Sequence, residues 1–585
     1  MAGPFTKLLT ATSAALDRRF GWDRLPRPLG VLALVGLRTR LRERNLYDTG
    51  AGGAKAAANG APHDARTPDG SYNDLGSPAM GMIGARFGRN VPLDRTYPEE
   101  EPGLLEPSPR LVSRKLLTRD EFKPATIVNV LAAAWLQFEV HDWFSHGTLT
   151  EEPFELALDP DDPWAERPMR IARTRNDPHP DADGGASTWV TADSHWWDGS
   201  QIYGSDPAVT AALREGAGGR LRLDPDGQLP RHLDSQLDLS GVAGNFWLGL
   251  ALLHTLFMRE HNAIADRLAA EQPDWDDERL FAKARLITAA LMAKIHTVEW
   301  TPAIIAHPTT TYGMRANWYG ILGKRLGKRS RNEVLGGIPG SPTDHHGVPY
   351  SLTEEFVAVY RMHPLLPDDF TFRSIETDAV LQERTFRDLG VRDFRDRLDE
   401  VGYVDSFYSF GIAHPGAITL HNYPRFLQEL RRPDGTVVDL AATDVLRIRE
   451  RGVPRYNEFR RLFHLKAPET FEELTDNPDW ARELREVYGD VEQVDLMVGL
   501  YAETLPKGFG FSDTAFRVFI LMASRRLKSD RFFTSDYNAE TYTQTGLDWI
   551  DETGMKDVLL RHYPALEPAL RGVDNAFAPW RRVGG

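Results

Sequence analysis

Apolar side chains recur at every third or fourth position over three long stretches of this chain, and this spacing constrains the fold more than any other feature. Such a period places side chains on one face of an α-helix, whereas the alternating Val, Ile and Thr of strands are scarce. We therefore predict a mainly α-helical protein with little sheet. The three stretches comprise Val128, Val130, Leu131, Ala134, Trp135, Phe138 and Trp143; Leu248, Leu252, Leu256 and Ile264; and Leu280, Ala284, Ile287, Leu291 and Ile295.

The 585 residues divide at a segment rich in Gly, Ala, Pro and Asp, positions 49–78, which is typical of irregular connecting chain. We predict an N-terminal helical segment with linker over residues 1–60 and one large catalytic body over residues 61–585. Residues 5–45 are apolar and basic. This segment could lie in a membrane interface, or it could be a helix packed on the body, and the sequence leaves both alternatives open.

Charge and cysteine content exclude several classes of site. The net charge is −15 and there is no long run of Lys or Arg, so nucleic acid is not an expected partner. The chain has no cysteine, which excludes disulfides, zinc–thiolate sites, iron–sulfur clusters and thiolate-ligated haem. Any metal must therefore be held by histidine and oxygen ligands.

The longest early apolar run, Leu29 to Leu37, has nine residues, whereas a spanning helix needs about 20. Charged residues precede this run and no small-residue cleavage site follows it, so a signal peptide is not expected. We predict a cytoplasmic protein, of bacterial origin, that could contact a membrane peripherally.

The first candidate motif is QFEVHDW, residues 137–143. Residues four apart on a helix are about 40° apart around its axis, so Gln137 and His141 would share a face while Asp142 points elsewhere. The alternative is a buried histidine with an ordinary hydrogen-bond partner.

The second candidate motif is SHWWDGS, residues 194–200, in which oxygen-bearing side chains alternate with others. Carboxylate, hydroxyl and main-chain oxygens suit Ca²⁺, which takes six to eight oxygen ligands, and Asp142 could complete such a cage. The alternative is a turn in which Asp and Ser side chains bond their own backbone.

The third candidate motif is YRMHPLLP, which starts at Tyr360 and includes His363. On a helix the two side chains would lie about 60° apart and one turn apart in height. If His363 bound an iron, Tyr360 would lie beside the same porphyrin. In a chain with 17 Tyr and 17 His, a Tyr three residues before a His is expected by chance about 0.5 times, so the spacing alone proves nothing.

Together the motifs resemble the peroxidase–cyclooxygenase superfamily, and within it the fatty-acid α-dioxygenases of plants and bacteria. The resemblance covers nearly all of the chain beyond residue 60 and follows one order. It is carried by RTPDGSYND (66–74), FGRN (87–90), QFEVHDWFSH (137–146), HWWDGSQIYGS (195–205), LHTLFMREHNAIAD (253–266), HTVEWTPAII (296–305), VYRMHPLLPDDF (359–370), HNYPRFLQEL (421–430), RGVPRYNEFRR (451–461) and ASRRLKSDRFFTS (523–535).

The resemblance implies a haem site. His141 corresponds to the distal histidine, with Gln137 as its neighbour, His363 to the iron ligand and Tyr360 to the catalytic tyrosine.

By their places in the sequence, Asp444 would bond the ring of His363, and Arg447 would pair with a haem propionate. Peroxidases attach haem through two esters, but the position before His141 is Val140, and GVAGNFWLGL (241–250) contains neither an acid nor the peroxidase arginine. We therefore expect haem b to be bound non-covalently and peroxidase turnover to be weak.

The resemblance also implies a calcium loop and a site for a carboxylate. The calcium ligands would be Asp142, Ser194, the Trp196 carbonyl, Asp198 and Ser200. The fatty-acid carboxylate would be held by His296, Thr301 and one of the paired arginines, Arg526 rather than Arg525.

A fatty acid and O₂ are therefore the expected substrates. The tyrosyl radical would remove hydrogen from C2 and O₂ would add there, which gives a 2-hydroperoxy fatty acid. The alternatives are a cyclooxygenase-like or mid-chain dioxygenase, a haem peroxidase, and a haem-free protein on the same fold. The sequence leaves the oligomeric state open.

Overall fold

The computed structural model describes residues 4–57, 63–147, 149–181, 186–231, 238–242, 245–327, 329–390, 394–432 and 435–584. The boundary predicted at residue 60 lies outside these residues, so the division into two parts stays a prediction. No helix in the described ranges is long and apolar enough to cross a membrane.

Helices dominate the described chain. Those of eight or more residues are α1 (Pro4–Phe20), α2 (Arg27–Arg44), α3 (Val130–Val140), α4 (Leu248–Glu271), α5 (Asp277–Ile295), α6 (Pro308–Tyr319), α7 (Phe394–Val401), α8 (Tyr403–Ile412), α9 (Leu440–Glu450), α10 (Pro478–Tyr488), α11 (Asp513–Ser529), α12 (Gln544–Glu552) and α13 (Met555–His562).

Shorter helical segments connect them. The α-helical segments are Pro109–Val112, Ser200–Tyr203, Pro207–Leu213, Thr301–Ile304, Gly323–Gly327, Glu333–Gly336, Glu354–Val359, Arg425–Gln428, Tyr456–Leu462, Phe471–Leu474, Leu496–Ala502, Ala539–Tyr542 and Glu567–Leu570. Wider turns occur at Ser113–Leu117 and His296–Trp300. Tighter turns occur at Trp22–Arg24, Leu93–Arg95, Gly103–Leu105, His363–Leu365, Phe386–Leu389, Val491–Gln493 and Pro564–Leu566.

Sheet is minor, as predicted. The described strands form three antiparallel pairs: β1 (Leu149–Leu156) with β2 (Met169–Thr174), β3 (Asp369–Arg373) with β4 (Val380–Thr385), and β5 (Leu430–Arg431) with β6 (Val437–Val438).

The three predicted helical stretches correspond to α3, α4 and α5. The first begins only at Val130, because Asn129 is extended and its side chain accepts a hydrogen bond from the Ala132 amide at 3.1 Å. Asp276 caps α5 in the same way. α3 packs on α4 and α4 on α5, and their facing apolar side chains are fully buried, which contributes about 1.5–3 kcal/mol each.

The N-terminal helices pack on this body. α2 contacts α6 and α11, and Arg38 and Arg42 both form ion pairs with Glu333 at 3.1 and 3.0 Å. Between α1 and α2, Trp22 is buried and its indole N–H donates to Asp513 at 2.8 Å. Of the two alternatives for residues 5–45, a membrane interface or a helix packed on the body, α2 shows the packing on the body.

We expect Trp22→Ala to lower the free energy of unfolding by about 3–5 kcal/mol, because the ring packs against His307, Phe509 and Phe516. The control is Phe20→Ala, whose side chain is 49% exposed and whose loss should change stability by less than about 0.5 kcal/mol. Thermal unfolding followed by circular dichroism measures both; equal shifts would contradict the prediction.

Candidate active site

Gln137 and His141 share one face of α3, as predicted. The His141 amide bonds the Gln137 carbonyl at 3.0 Å, so the helical path continues to His141. The Gln137 side chain accepts from the indole N–H of Trp247 at 2.9 Å, and His141 Nδ1 lies 3.1 Å from Asn245 Oδ1. Both partners come from the segment that leads into α4.

Asn245 determines the tautomer of His141. Its carbonyl oxygen can only accept, so Nδ1 of the imidazole carries the proton and Nε2 keeps its lone pair. Nε2 is buried without a partner among the described residues. Burial lowers the pKa of His141 to about 4, so the ring is a neutral base at neutral pH.

His254 of α4 lies edge-on to His141, with ring centroids 5.4 Å apart, and both of its nitrogens are buried without a partner in the described chain. Sequence reasoning assigned no role to Asn245 or His254, because their relation to His141 depends on how α4 packs on α3.

Tyr360 and His363 do not lie on one helix, so the helical geometry considered for the pair does not apply. The helical segment Glu354–Val359 ends before Tyr360, whose φ and ψ are −85° and 5°, and His363 opens a separate tight turn. Pro364 disfavours the α conformation at the residue before it and provides no amide hydrogen, so the helix cannot continue through this motif.

Tyr360 lies in an aromatic enclosure. Its ring stacks on that of Phe519, with the two ring centroids 4.4 Å apart, and also contacts the rings of Phe356 and Phe144. Burial raises the pKa of Tyr360 far above its ordinary value. The phenol is therefore neutral, and its oxidation must remove a proton together with an electron.

Asp444 anchors the ring of His363. Its Oδ2 lies 2.7 Å from His363 Nδ1 and accepts from Tyr423 at 2.9 Å, and its Oδ1 accepts from Arg361 at 2.8 Å. Burial opposes ionisation of Asp444, but the charges of His363 and Arg361 outweigh it and lower the pKa. The predicted contact between Asp444 and His363 is present, and Nε2 of the ring is left for another partner.

Arg447 Nη1 lies 2.6 Å from Oε2 of Glu450, one turn later on α9. Glu450 also accepts hydrogen bonds from the amide and the hydroxyl of Thr174. The role predicted for Arg447 at a haem propionate stays a prediction. The nearby Arg451 is buried, and its Nε has no partner among the described residues.

Three of the predicted calcium ligands, Asp142, Asp198 and Ser200, come together. The Ser200 hydroxyl donates to Asp142 Oδ2 at 2.5 Å, and Asp198 Oδ1 accepts from the Ser200 amide at 3.1 Å. Ser194 Oγ accepts from the amide of Trp196 at 3.1 Å, so the loop also has the turn bonds of the alternative interpretation. Burial raises the pKa of Asp142 well above its ordinary value.

The negative charges of Asp193 and Asp198 raise the pKa of Asp142, as its burial does. A cation would relieve this repulsion. No three His, Asp or Glu side chains of the described residues are spaced for a metal ion, so such a cation would need the hydroxyl and carbonyl oxygens of this loop as well.

His296 and Arg526 provide hydrogen-bond donors for an anion. Nδ1 of His296 accepts from the Trp135 indole at 3.3 Å, so the proton of the neutral ring is on Nε2. Burial, with the charge of Arg526, lowers the pKa of His296 to about 3. Nε and Nη1 of Arg526 are buried without partners in the described chain.

The adjacent Arg525 has more partners than Arg526, whose Nη2 donates to the His195 carbonyl at 3.3 Å, although Nε of Arg525 is also buried without a partner among the described residues. Nη2 of Arg525 donates to the carbonyls of His345, Val348 and Pro349, at 3.2, 2.5 and 3.0 Å. This difference agrees with the choice of Arg526 over Arg525.

A largely apolar cavity, partly open to solvent, is lined by Thr301 and Phe519 and by side chains of α2, α6 and α11. Thr301 donates its hydroxyl to the His296 carbonyl at 2.8 Å, and Phe519 stacks on Tyr360. The apolar lining includes Leu34, Val35, Ile305, Phe516 and Ile520. The cavity can therefore accept an apolar group, and Phe519 links its wall to the ring of Tyr360.

The family model described as animal haem peroxidase matches residues 65–573. The chain belongs to the animal haem peroxidase family. Membership implies that the protein binds haem, and the neutral His141 and the anchored His363 fit that cofactor. The predicted family resemblance is confirmed.

Plant α-dioxygenases are similar to this peroxidase-family chain over nearly their whole length. It is 41% identical to alpha-dioxygenase PIOX of Pisum sativum, over 97% of this chain and 90% of that protein. For alpha-dioxygenase PIOX of Oryza sativa the identity is 39%, over 97% and 94%. These relatives are plant proteins, so a bacterial origin stays a prediction.

A crystal structure of a Tyr-to-Phe variant of the Oryza sativa fatty acid alpha-dioxygenase, with palmitic acid, matches with a TM-score of 0.92. The identity is 37%, and the match covers 99% of this chain and 97% of that one. The predicted helical peroxidase fold is thereby confirmed.

Proposed function

We propose that this protein is a haem-dependent fatty-acid α-dioxygenase that adds O₂ at C2 of its substrate. The observation that carries the proposal is the largely apolar cavity whose wall includes Thr301, bonded to the His296 carbonyl, and Phe519, stacked on Tyr360. Arg526 follows the cavity-lining Ser524 on α11, and its Nε and Nη1 are buried without partners among the described residues. The plant relatives named for this activity support the same conclusion.

His363 is the residue that would hold the haem iron through Nε2, with Asp444 fixing the ring from the other side. When bound, haem supplies the oxidising equivalent that takes an electron and a proton from Tyr360. His141, with Nε2 unprotonated, would move protons on the opposite side. Val140 offers no carboxyl for an ester, so we infer that the haem b is bound non-covalently.

The carboxylate would be fixed by Arg526, His296 and Thr301, with the alkyl chain in the cavity. Because the carboxylate is held at the inner end, C2 is the first carbon that the Tyr360 radical meets. The radical takes a hydrogen atom from C2 and becomes a phenol again. O₂ adds to the carbon radical, and the resulting peroxyl radical takes the hydrogen atom back from Tyr360. The 2-hydroperoxy acid can then lose CO₂ and water to give an aldehyde one carbon shorter.

A Ca²⁺ ion bound by Asp142, Ser194, the Trp196 carbonyl, Asp198 and Ser200 would join the end of α3 to the 194–200 loop. The support for it is the raised proton affinity of Asp142 beside two other carboxylates. Since Asp142 follows His141 directly, this ion would also hold the last turn of α3 in place.

Peripheral membrane contact is supported by four apolar side chains on the outer side of α2 and of the segment after α6. Leu29, Leu32, Ile321 and Leu326 are 39–56% exposed. Ile321 also lines the cavity, so these side chains lie where an acyl chain would enter.

We expect Tyr360→Phe to abolish O₂ uptake with palmitic acid while the haem absorption spectrum is retained, because phenylalanine cannot form the radical. The control is Tyr542→Phe, a buried tyrosine whose hydroxyl donates to the Phe532 carbonyl and which should keep its uptake. Uptake is measured with an oxygen electrode, and normal uptake by Tyr360→Phe would refute the proposed mechanism.

We expect Arg526→Gln to raise the KM for palmitic acid at least tenfold, since each charge-assisted bond contributes about 1.5–3 kcal/mol. Arg525→Gln is the matched control: it loses bonds to a loop and should leave KM within about twofold even if stability falls. If Arg525→Gln gave the larger increase in KM, the assignment of the carboxylate to Arg526 would be wrong.

Calcium should stabilise the protein by about 2.7 kcal/mol at a concentration 100 times its Kd. We expect a chelator to lower the unfolding temperature, added Ca²⁺ to restore it, and Asp198→Asn to remove both effects. Asp206→Asn, at an exposed helix cap, should keep the response. An unfolding temperature insensitive to chelator and to Ca²⁺ would contradict the site.

A further inference from the structure

Glu139 is a buried carboxyl group that the proposed mechanism does not use. It lies on α3 between Gln137 and His141, and its side chain is fully buried. Oε2 accepts a hydrogen bond from the indole N–H of Trp197 at 2.8 Å. Oε1 has no partner in the part of the chain that the structure describes. Burial of an ionised carboxyl group costs free energy, so the presence of Glu139 at this position calls for an explanation.

Trp197 connects Glu139 to the site proposed for the substrate carboxylate. Its ring centroid lies 5.0 Å from the Arg526 guanidinium carbon and 5.2 Å from the His296 ring. Gln201 also lies near enough to Glu139 to affect its ionisation. Several buried polar atoms around this indole lack partners among the described residues: Glu139 Oε1, both side-chain polar atoms of Gln201, and Nε and Nη1 of Arg526.

Burial raises the pKa of Glu139 to about 8, against the opposing effects of the Trp197 bond, the Arg526 charge and Gln201. The other titratable groups around it carry no charge at neutral pH. His296, beyond Trp197, has a pKa lowered to about 3 by burial, and burial raises the pKa of Tyr360, which feels the charge of Glu139. Arg526 is thus the one charge acting on Glu139 among the described residues.

The state of Glu139 therefore decides whether Arg526 is available to an anion. A neutral Glu139 adds no negative charge beside the Arg526 guanidinium, so Asp142 is the other carboxyl group that acts on it and an incoming carboxylate is attracted. An ionised Glu139 would compensate that charge and would repel the carboxylate in a dry environment, where such interactions are strong.

Building on the proposed function, we propose that Glu139 is a positioning residue for the substrate carboxylate: the fatty acid binds at Arg526 only while Glu139 holds its proton.

Apparent affinity falls in proportion to the fraction of protein in the binding-competent state. Because the pKa of Glu139 is raised to about 8, KM should be level between pH 6 and 7 and about tenfold higher at pH 9. Higher pH removes the proton from Glu139 and weakens binding of the fatty acid, so KM rises with pH. The value of kcat should change much less, since saturating substrate selects the protonated form.

The test is the KM of the haem-loaded enzyme for lauric acid between pH 6 and 9, measured by O₂ uptake at concentrations below aggregation of the acid. Lauric acid is ionised throughout this range, so its own titration does not contribute. We expect the increase in KM for the unmodified protein and a flat profile for Glu139→Gln, which keeps the shape of the side chain but cannot ionise.

Glu299→Gln is the matched control. Glu299 is also a glutamate whose pKa is raised by burial, to about 7, but its carboxyl accepts from the Met555 amide at the far end of the His296–Trp300 turn. This variant should keep the pH profile of the unmodified protein. Trp197→Phe removes a bond that favours ionised Glu139, so the increase in KM should move to higher pH.

The outcomes separate the two proposals. If neither lauric acid nor palmitic acid is oxidised at any pH, the dioxygenase function itself is overturned, and this inference with it. Oxidation with a flat KM in the unmodified protein would overturn only the role of Glu139. The same conclusion would follow if Glu139→Gln kept the pH dependence. If Glu139→Gln does not fold or bind haem, Trp197→Phe decides, and an unmoved profile counts against the proposal.

Discussion

The placement of the site depends on one buried helix, α3, and on the turn that follows it, because residues near its end point into different surroundings. Successive side chains on a helix are turned by about 100°, so residues one or two positions apart face different sides. Glu139 faces Trp197, His141 faces Asn245, and Asp142 faces Ser200. Because α3 is enclosed on nearly all sides, a shift of this helix would disturb the proposed haem, calcium and substrate regions together.

Much of the chemistry rests on polar groups kept away from water. Burial favours the neutral forms of His141, Tyr360 and Glu139. Arg526 is buried as well, and Trp143 and Trp197 lie against its guanidinium. Groups held in this way need little rearrangement when charge moves, which is the condition for electrostatic assistance in an enclosed site.

The sequence predicted the helical fold and three long helices, because periodicity reports burial directly. It also predicted the partnership of Asp444 with His363 and the shared face of Gln137 and His141. It failed at Tyr360, where an assumed helix is interrupted at a motif that contains proline.

Other features depend on contacts between distant segments, which spacing does not record. Asn245 and Glu139 received no role because their partners come from other elements. Arg525 and Arg526 are adjacent in sequence, and only the positions of three loop carbonyls and two tryptophans distinguish them. For the same reason, Val31 of α2 and Phe516 of α11 line one cavity although nearly the whole chain separates them. During synthesis, the wall of this cavity cannot close until α11 has emerged from the ribosome, so a partly translated chain would present the apolar side of α2 to the cell.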